Sequence, residues 1–79
     1  PSTQISFDIP QGGEFVMLNV YNILGQNVST LVNSAMSPGR YTMEWNATDE
    51  IGNPVASGIY FYELRSNSFT SRKKMLLIR

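Results

Sequence analysis

The chain contains no cysteine and no histidine. Without cysteine, a disulfide framework and any thiolate zinc site are excluded. Without histidine, the commonest metal ligand and the commonest general base are gone. The Ser-His-Asp and Cys-His arrangements of nucleophilic catalysis therefore cannot be assembled. Charge is sparse, with six basic and six acidic residues and a net charge of zero. No strong field steers the chain to nucleic acid or to an anionic membrane. The apolar run Met75-Leu76-Leu77-Ile78 falls far below the roughly 20 residues of a membrane-spanning helix. The opening Pro1-Ser2-Thr3-Gln4 lacks the basic and apolar regions of a signal peptide. An export signal is therefore expected upstream, unless the module is itself the signal.

What is present is a short chain rich in large rings. Seventy-nine residues allow one domain, which buries only about 60% of its unfolded surface. Stability must come from apolar packing, to which four Phe, four Tyr and one Trp are suited.

The side-chain period is two almost throughout. Ile5, Phe7 and Ile9 alternate with Gln4, Ser6 and Asp8, and Pro10-Gln11-Gly12-Gly13 marks a turn. A long second strand follows from Glu14 to Ile23, with Val16, Leu18 and Val20 on one face and Phe15, Met17 and Tyr21 on the other. Apolar residues on both faces predict a central strand, or one covered by a neighbouring domain. Leu24-Gly25-Gln26 leads into a third strand over about 27–32, and Ser37-Pro38-Gly39 into a fourth carrying Tyr41, Met43 and Trp45. After the polar loop 46–54, a short edge strand is expected at Val55-Ala56, then a strand over Ile59–Arg65. The last strand spans Phe69 to Ile78. Six or seven strands at this spacing, with no helical stretch, predict an immunoglobulin-like or fibronectin-III-like antiparallel β-sandwich of about seven strands, one module over residues 1–79.

Candidate chemistry is thin. A Ser–Lys pair using Lys73 or Lys74 would need a depressed lysine pKa, which a surface strand does not provide. Asp49 and Glu50 are adjacent loop acids of the kind usually solvated. No catalytic residue, cofactor or metal site is expected. Weaker alternatives are calcium on the oxygen-rich loop Asn46–Asn53, N-glycosylation at Asn27-Val28-Ser29 or Asn46-Ala47-Thr48, and sugar stacking on Trp45, Tyr41, Tyr60 or Tyr62. Those aromatics lie at strand spacing, which favours core packing. The most unusual segment is Ser71-Arg72-Lys73-Lys74 followed at once by Met75-Leu76-Leu77-Ile78. Lysines blunt an exposed sheet edge, and apolar residues on both faces leave one face for a partner.

Several landmarks occur in a familiar order. Pro1-Ser2-Thr3-Gln4-Ile5-Ser6-Phe7 is followed by Val20-Tyr21-Asn22-Ile23-Leu24-Gly25-Gln26-Asn27-Val28. Pro38-Gly39-Arg40-Tyr41 with Trp45, Gly52, and Val55-Ala56-Ser57-Gly58-Ile59-Tyr60-Phe61-Tyr62 continue the series, and Lys73–Ile78 completes it. Over essentially its whole length the chain resembles the type A C-terminal sorting domain of type IX secretion substrates. The immunoglobulin-like domain of flagellar hook-capping proteins is similar in the middle section. The resemblance implies structural roles for Gly25, Gly39, Trp45, Gly52, Gly58 and Tyr60, and recognition by the outer-membrane translocon through Lys73, Lys74, Met75, Leu76, Leu77 and Ile78. It also implies a cargo domain upstream in a larger protein, transit through the periplasm, and delivery to the cell surface or medium. A surface sortase-like peptidase would be a second partner, acting at a junction upstream of Pro1. The alternative is a structural or carbohydrate-binding appendage of a secreted hydrolase.

Overall fold

Strands form wherever β-branched and aromatic residues alternate with polar ones. The computed structural model describes residues 2–79. Pro1, which opens the sorting-domain motif, lies outside the described residues. The described residues form six strands, β1 (Thr3–Ile9), β2 (Glu14–Asn22), β3 (Asn27–Met36), β4 (Gly39–Trp45), β5 (Gly58–Ser66) and β6 (Thr70–Leu77). β1 and β4 make a two-stranded sheet, and the order β3-β2-β5-β6 makes a four-stranded one. Every pairing is antiparallel.

Period-two alternation places the core. Ile5, Phe7 and Ile9 of β1 pack with Val16 and Leu18 of β2, Val32 of β3 and Leu64 of β5. A second cluster joins Val20, Trp45, Ala47, Tyr60 and Leu77. Val16, Leu18 and Val20 are fully buried, and each contributes about 1.5–3 kcal/mol. β2 is central, flanked by β3 and β5. Its outer face remains open, with Phe15 49% exposed.

The expected seventh strand at Val55-Ala56 does not form. An isolated antiparallel bridge, Thr48 opposite Pro54, stands in its place. Proline has no N–H to extend a ladder, and the bridge is limited to two flanking bonds, from Val55 N to Ala47 O (3.0 Å) and from Asp49 N to Asn53 O (2.9 Å). β2 stops at Asn22, before Ile23, and β6 spans Thr70–Leu77. β3 runs four residues past Val32, to Met36. Its polar Asn33-Ser34-Ala35 stretch stays extended because Met17, Val16 and Phe15 of β2 lie opposite and complete the ladder.

β3 also breaks strict alternation. Register shifts between Leu18 and Asn19, and between Val20 and Tyr21, leave Leu31 and Val28 without Cα partners. Such bulges re-aim side chains and increase twist. Here Leu31 packs against both clusters and Val28 against the second, with Val20 and Trp45.

Two turns set the strand ends. Gly13 has φ +70°, and a Cβ there would sit 2.8 Å from the Met36 carbonyl oxygen, so only glycine lets the β1–β2 turn approach β3. In the β2–β3 turn the Asn22 carboxamide oxygen accepts from Leu24 N and Gln26 N, both at 3.0 Å. This Asx turn delivers Gly25 in the left-handed region, at φ +82°.

Candidate interaction surface

β6 is an edge strand, because β5 pairs with one side of it and nothing pairs with the other. Its register against β5 sorts its side chains. Ser71, Lys73 and Met75 stand opposite Leu64, Tyr62 and Tyr60, in the row that faces the core. Arg72, Lys74 and Leu76 stand opposite Glu63, Phe61 and Ile59, on the outer face.

The run singled out as a recognition element therefore splits. Met75 packs partly buried against both clusters, and Leu77 is a core residue at 5% exposure. Leu76 and Ile78 project into solvent at 67% and 73% exposure. Lys73 and Lys74 are exposed. Lys73 keeps its head in water although it belongs to the core-facing row, since the opposing sheet has only two strands and β6 is the edge of four. An inward-pointing charge on an edge strand guards against indiscriminate pairing.

Charge is distributed unevenly around this strand. Arg72, Lys73, Lys74 and Arg79 are four of the six cations, and no acid occurs between Thr70 and Arg79. Several of the acids elsewhere are engaged. Asp8 pairs with Arg40 at 3.3 Å and Glu63 with Arg65 at 3.0 Å. Glu14 accepts from the backbone and hydroxyl of Ser68, and the Ser68 hydroxyl is the largest cause holding the Glu14 carboxyl below its ordinary value. Among the described residues, neither Lys73 nor Lys74 forms an ion pair. The Arg72 guanidinium lies 5.4 Å from the ring centroids of both Tyr21 and Phe61, a cation–π arrangement on the outer face. Beside it, Ile59, Lys74, Met75 and Leu76 line an open groove of about 300 Å³.

The aromatic candidates for sugar stacking serve the core. Trp45 is 2% and Tyr60 7% exposed, and their rings meet edge-on at 5.1 Å. Trp45 Nε1 donates to Thr48 O at 2.9 Å, and the Tyr60 hydroxyl donates to Ala56 O at 2.7 Å. Tyr41 stacks on Phe7 at 5.8 Å, and Tyr62 packs half-buried against both clusters. The oxygen-rich loop is likewise occupied with its own turn. Asp49 Oδ1 accepts from Ile51 N at 3.1 Å and Asn53 N at 2.9 Å, and Asn46 Oδ1 accepts from the Thr48 hydroxyl at 2.6 Å. Gly39 and Gly58 open β4 and β5, and Gly52 lies in this turn.

Arg79 carries a role that sequence reasoning missed. Its backbone N–H donates to the Ser57 hydroxyl at 3.0 Å, and its guanidinium donates to the carbonyls of Val55 and Ala47. Ala47 is fully buried and left-handed at φ 61°. Its carbonyl receives both Val55 N and Arg79 Nη2, so the arginine clasps the loop 46–57 from the far end of the chain. A lone terminal arginine carries no periodic signal by which a sequence reading could find this partner.

Comparison with known proteins agrees with this architecture. Among curated proteins, none matches the sequence. The crystal structure of FlgD from P. aeruginosa superimposes with a TM-score of 0.73 at 22% identity, covering 96% of this chain. This chain spans 60% of the length of that FlgD chain. At such identity the likeness speaks to the fold, a two-sheet immunoglobulin-like sandwich. The family description FlgD Ig-like domain matches residues 1–68, which takes in β1 to β5 and stops before β6. By that match, which extends over well more than half of its residues, the chain belongs to the FlgD Ig-like domain family.

Proposed function

We propose that the chain is a non-catalytic C-terminal sorting module of a secreted bacterial protein, directing an upstream cargo domain through the outer-membrane type IX translocon to the cell surface. One observation carries the reading: β6 spends Met75 and Leu77 on the core while leaving Lys73, Lys74 and Leu76 exposed, with Ile78 exposed just past its end. The lysines also blunt the sheet edge, but Leu76 and Ile78, in water beside them, add nothing to the core. The order of landmarks from Ser2 to Ile78, similar to that of sorting domains, supports the same reading. A surface sortase-like peptidase would then release the cargo.

The test fuses the module, with the family's upstream segment restored, to a periplasm-directed fluorescent protein. The host carries the type IX machinery, beside a translocon-null strain. Surface or released reporter only in the intact strain is the expected result. Folded reporter held in the periplasm of both strains overturns the proposal. Lys73→Ala with Lys74→Ala isolates the recognition role, because neither side chain supports the core; normal export by this variant removes the lysines from the signal.

A second reading, a purely structural appendage, is favoured by membership of the FlgD Ig-like family. It predicts that deleting the module changes the cargo's solubility and leaves its destination unchanged.

A further inference from the structure

We infer that the free edge of β6 is a strand-addition site for an extended, acidic segment of a partner protein. The inference stands apart from the sorting reading, since it holds for a structural appendage equally well.

β6 offers eight residues of ladder-forming backbone, about 26 Å at 3.3 Å per residue. Alternate N–H and C=O groups of an edge strand face outward and template another strand. The other ladder edges differ in charge. β1 and β4 carry the Asp8–Arg40 pair, in which acid and base offset each other, and β3 has no charged residue. Only β6 presents a block of one sign, with Arg72, Lys73 and Lys74 consecutive and therefore on both faces of the strand.

That block selects the occupant. A second copy of the chain, paired antiparallel about Lys73, would set Arg72, Lys73 and Lys74 against the same three cations. Like charges directly opposite one another destabilise a strand pair. The edge is thus closed to itself and to neutral or basic strands, while an acidic strand gains ladder bonds and charge pairing together. Because adjacent residues alternate between faces, the complementary segment needs consecutive acids rather than alternate ones. One strand pair further along, the groove between Ile59, Met75 and Leu76 accepts an aliphatic side chain. The partner is an extended segment with one aliphatic anchor and about three consecutive acids, which follow the anchor in an antiparallel addition.

The probe is the fluorescent peptide Val-Ile-Thr-Glu-Asp-Glu-Thr-Thr, titrated against the intact 79-residue chain with anisotropy as readout. Binding should weaken about tenfold or more with Lys73→Glu plus Lys74→Glu, and on raising salt from about 20 to about 200 mM. Trp45 fluorescence verifies that the variant remains folded. Two further peptides carry N-methyl groups on alternate residues, one set for each edge. Strand addition requires that one of them lose binding and the other keep it. If both bind like the parent peptide, or if a Gln-for-acid peptide binds equally well, the proposal is overturned. It is also overturned if the chain dimerises through β6 and the acidic peptide fails to dissociate the dimer.

Discussion

Leu76→Ala and Leu77→Ala delete the same three carbons at neighbouring positions of one edge strand, and their consequences should differ severalfold. Leu77 is 5% exposed and packs with Val20, Trp45, Ala47 and Tyr60. A buried Leu→Ala costs about 2–5 kcal/mol. Leu77 sits at the end of an edge strand, where neighbours can partly collapse into the space, so the lower part of that range, about 2–3 kcal/mol, applies. A domain of this size shifts its Tm by about 4–8 °C per kcal/mol, so Leu77→Ala should melt roughly 10–20 °C lower. Leu76 is 67% exposed, and its truncation should stay within about 0.5 kcal/mol. Urea unfolding followed by Trp45 fluorescence reads both, since that indole is buried in the Leu77 cluster. If Leu76→Ala lowers the midpoint as far as Leu77→Ala, the division of this run into core and surface residues is wrong. The distinction bears directly on function. Against a whole-domain stability of about 5–15 kcal/mol, truncating the strand would unfold the module, and a resulting export defect would say nothing about recognition. Substitutions at the exposed Lys73, Lys74, Leu76 and Ile78 separate the two.

Other substitutions test other joints of the fold. Gly13→Ala must place its Cβ 2.8 Å from the Met36 carbonyl oxygen. It should therefore cost more than the about 1–2 kcal/mol of a left-handed alanine, whereas Gly12→Ala, at φ +95° with open space, should stay within that range; equal urea midpoints would refute the close-approach argument. Arg79→Ala releases the carbonyls of Ala47 and Val55 and should accelerate hydrogen exchange at the Val55 amide. Its cost is about 1 kcal/mol, because the guanidinium is largely solvated, and unchanged exchange would mean the loop holds itself. The folded state depresses the Glu14 carboxyl below its ordinary 4.5 through the Ser68 hydroxyl. Its contribution is thus fully present above about pH 5 and is lost as pH falls through the lowered value. Glu14→Gln should flatten the acid limb of the stability curve, and identical acid limbs would show that the Ser68 contacts do not hold in solution.

Much of the fold was legible because β-strands advertise themselves locally. Ile5-Phe7-Ile9 and Tyr41-Met43-Trp45 alternate with polar neighbours, Val16-Leu18-Val20 forms one face of a strand apolar on both, and all three rows face the core, with Tyr41 and Met43 partly buried. The elements that misled were those where backbone pairing overrides side-chain pattern. The third strand was expected to end near Val32, but Asn33-Ser34-Ala35 is held extended by β2, and Val55-Ala56 reads as a strand but follows a proline that cannot continue a ladder. The candidate surface was legible as a place and not as a set of roles. Lys73–Ile78 stands out in sequence, yet its division into core-facing and solvent-facing residues depends on register against β5.

Composition and period-two alternation are local properties, and from them alone follow the all-β class, the main turns and the absence of histidine and cysteine chemistry. Strand pairing and sheet packing were needed to make β6 an edge, Leu77 core and Leu76 free, to turn Leu31 and Val28 inward at two bulges, and to let Arg79 clasp a loop more than twenty residues away. Those outcomes depend on which strands become neighbours, and hydrogen-bond pairing between distant segments leaves no periodic trace within either of them.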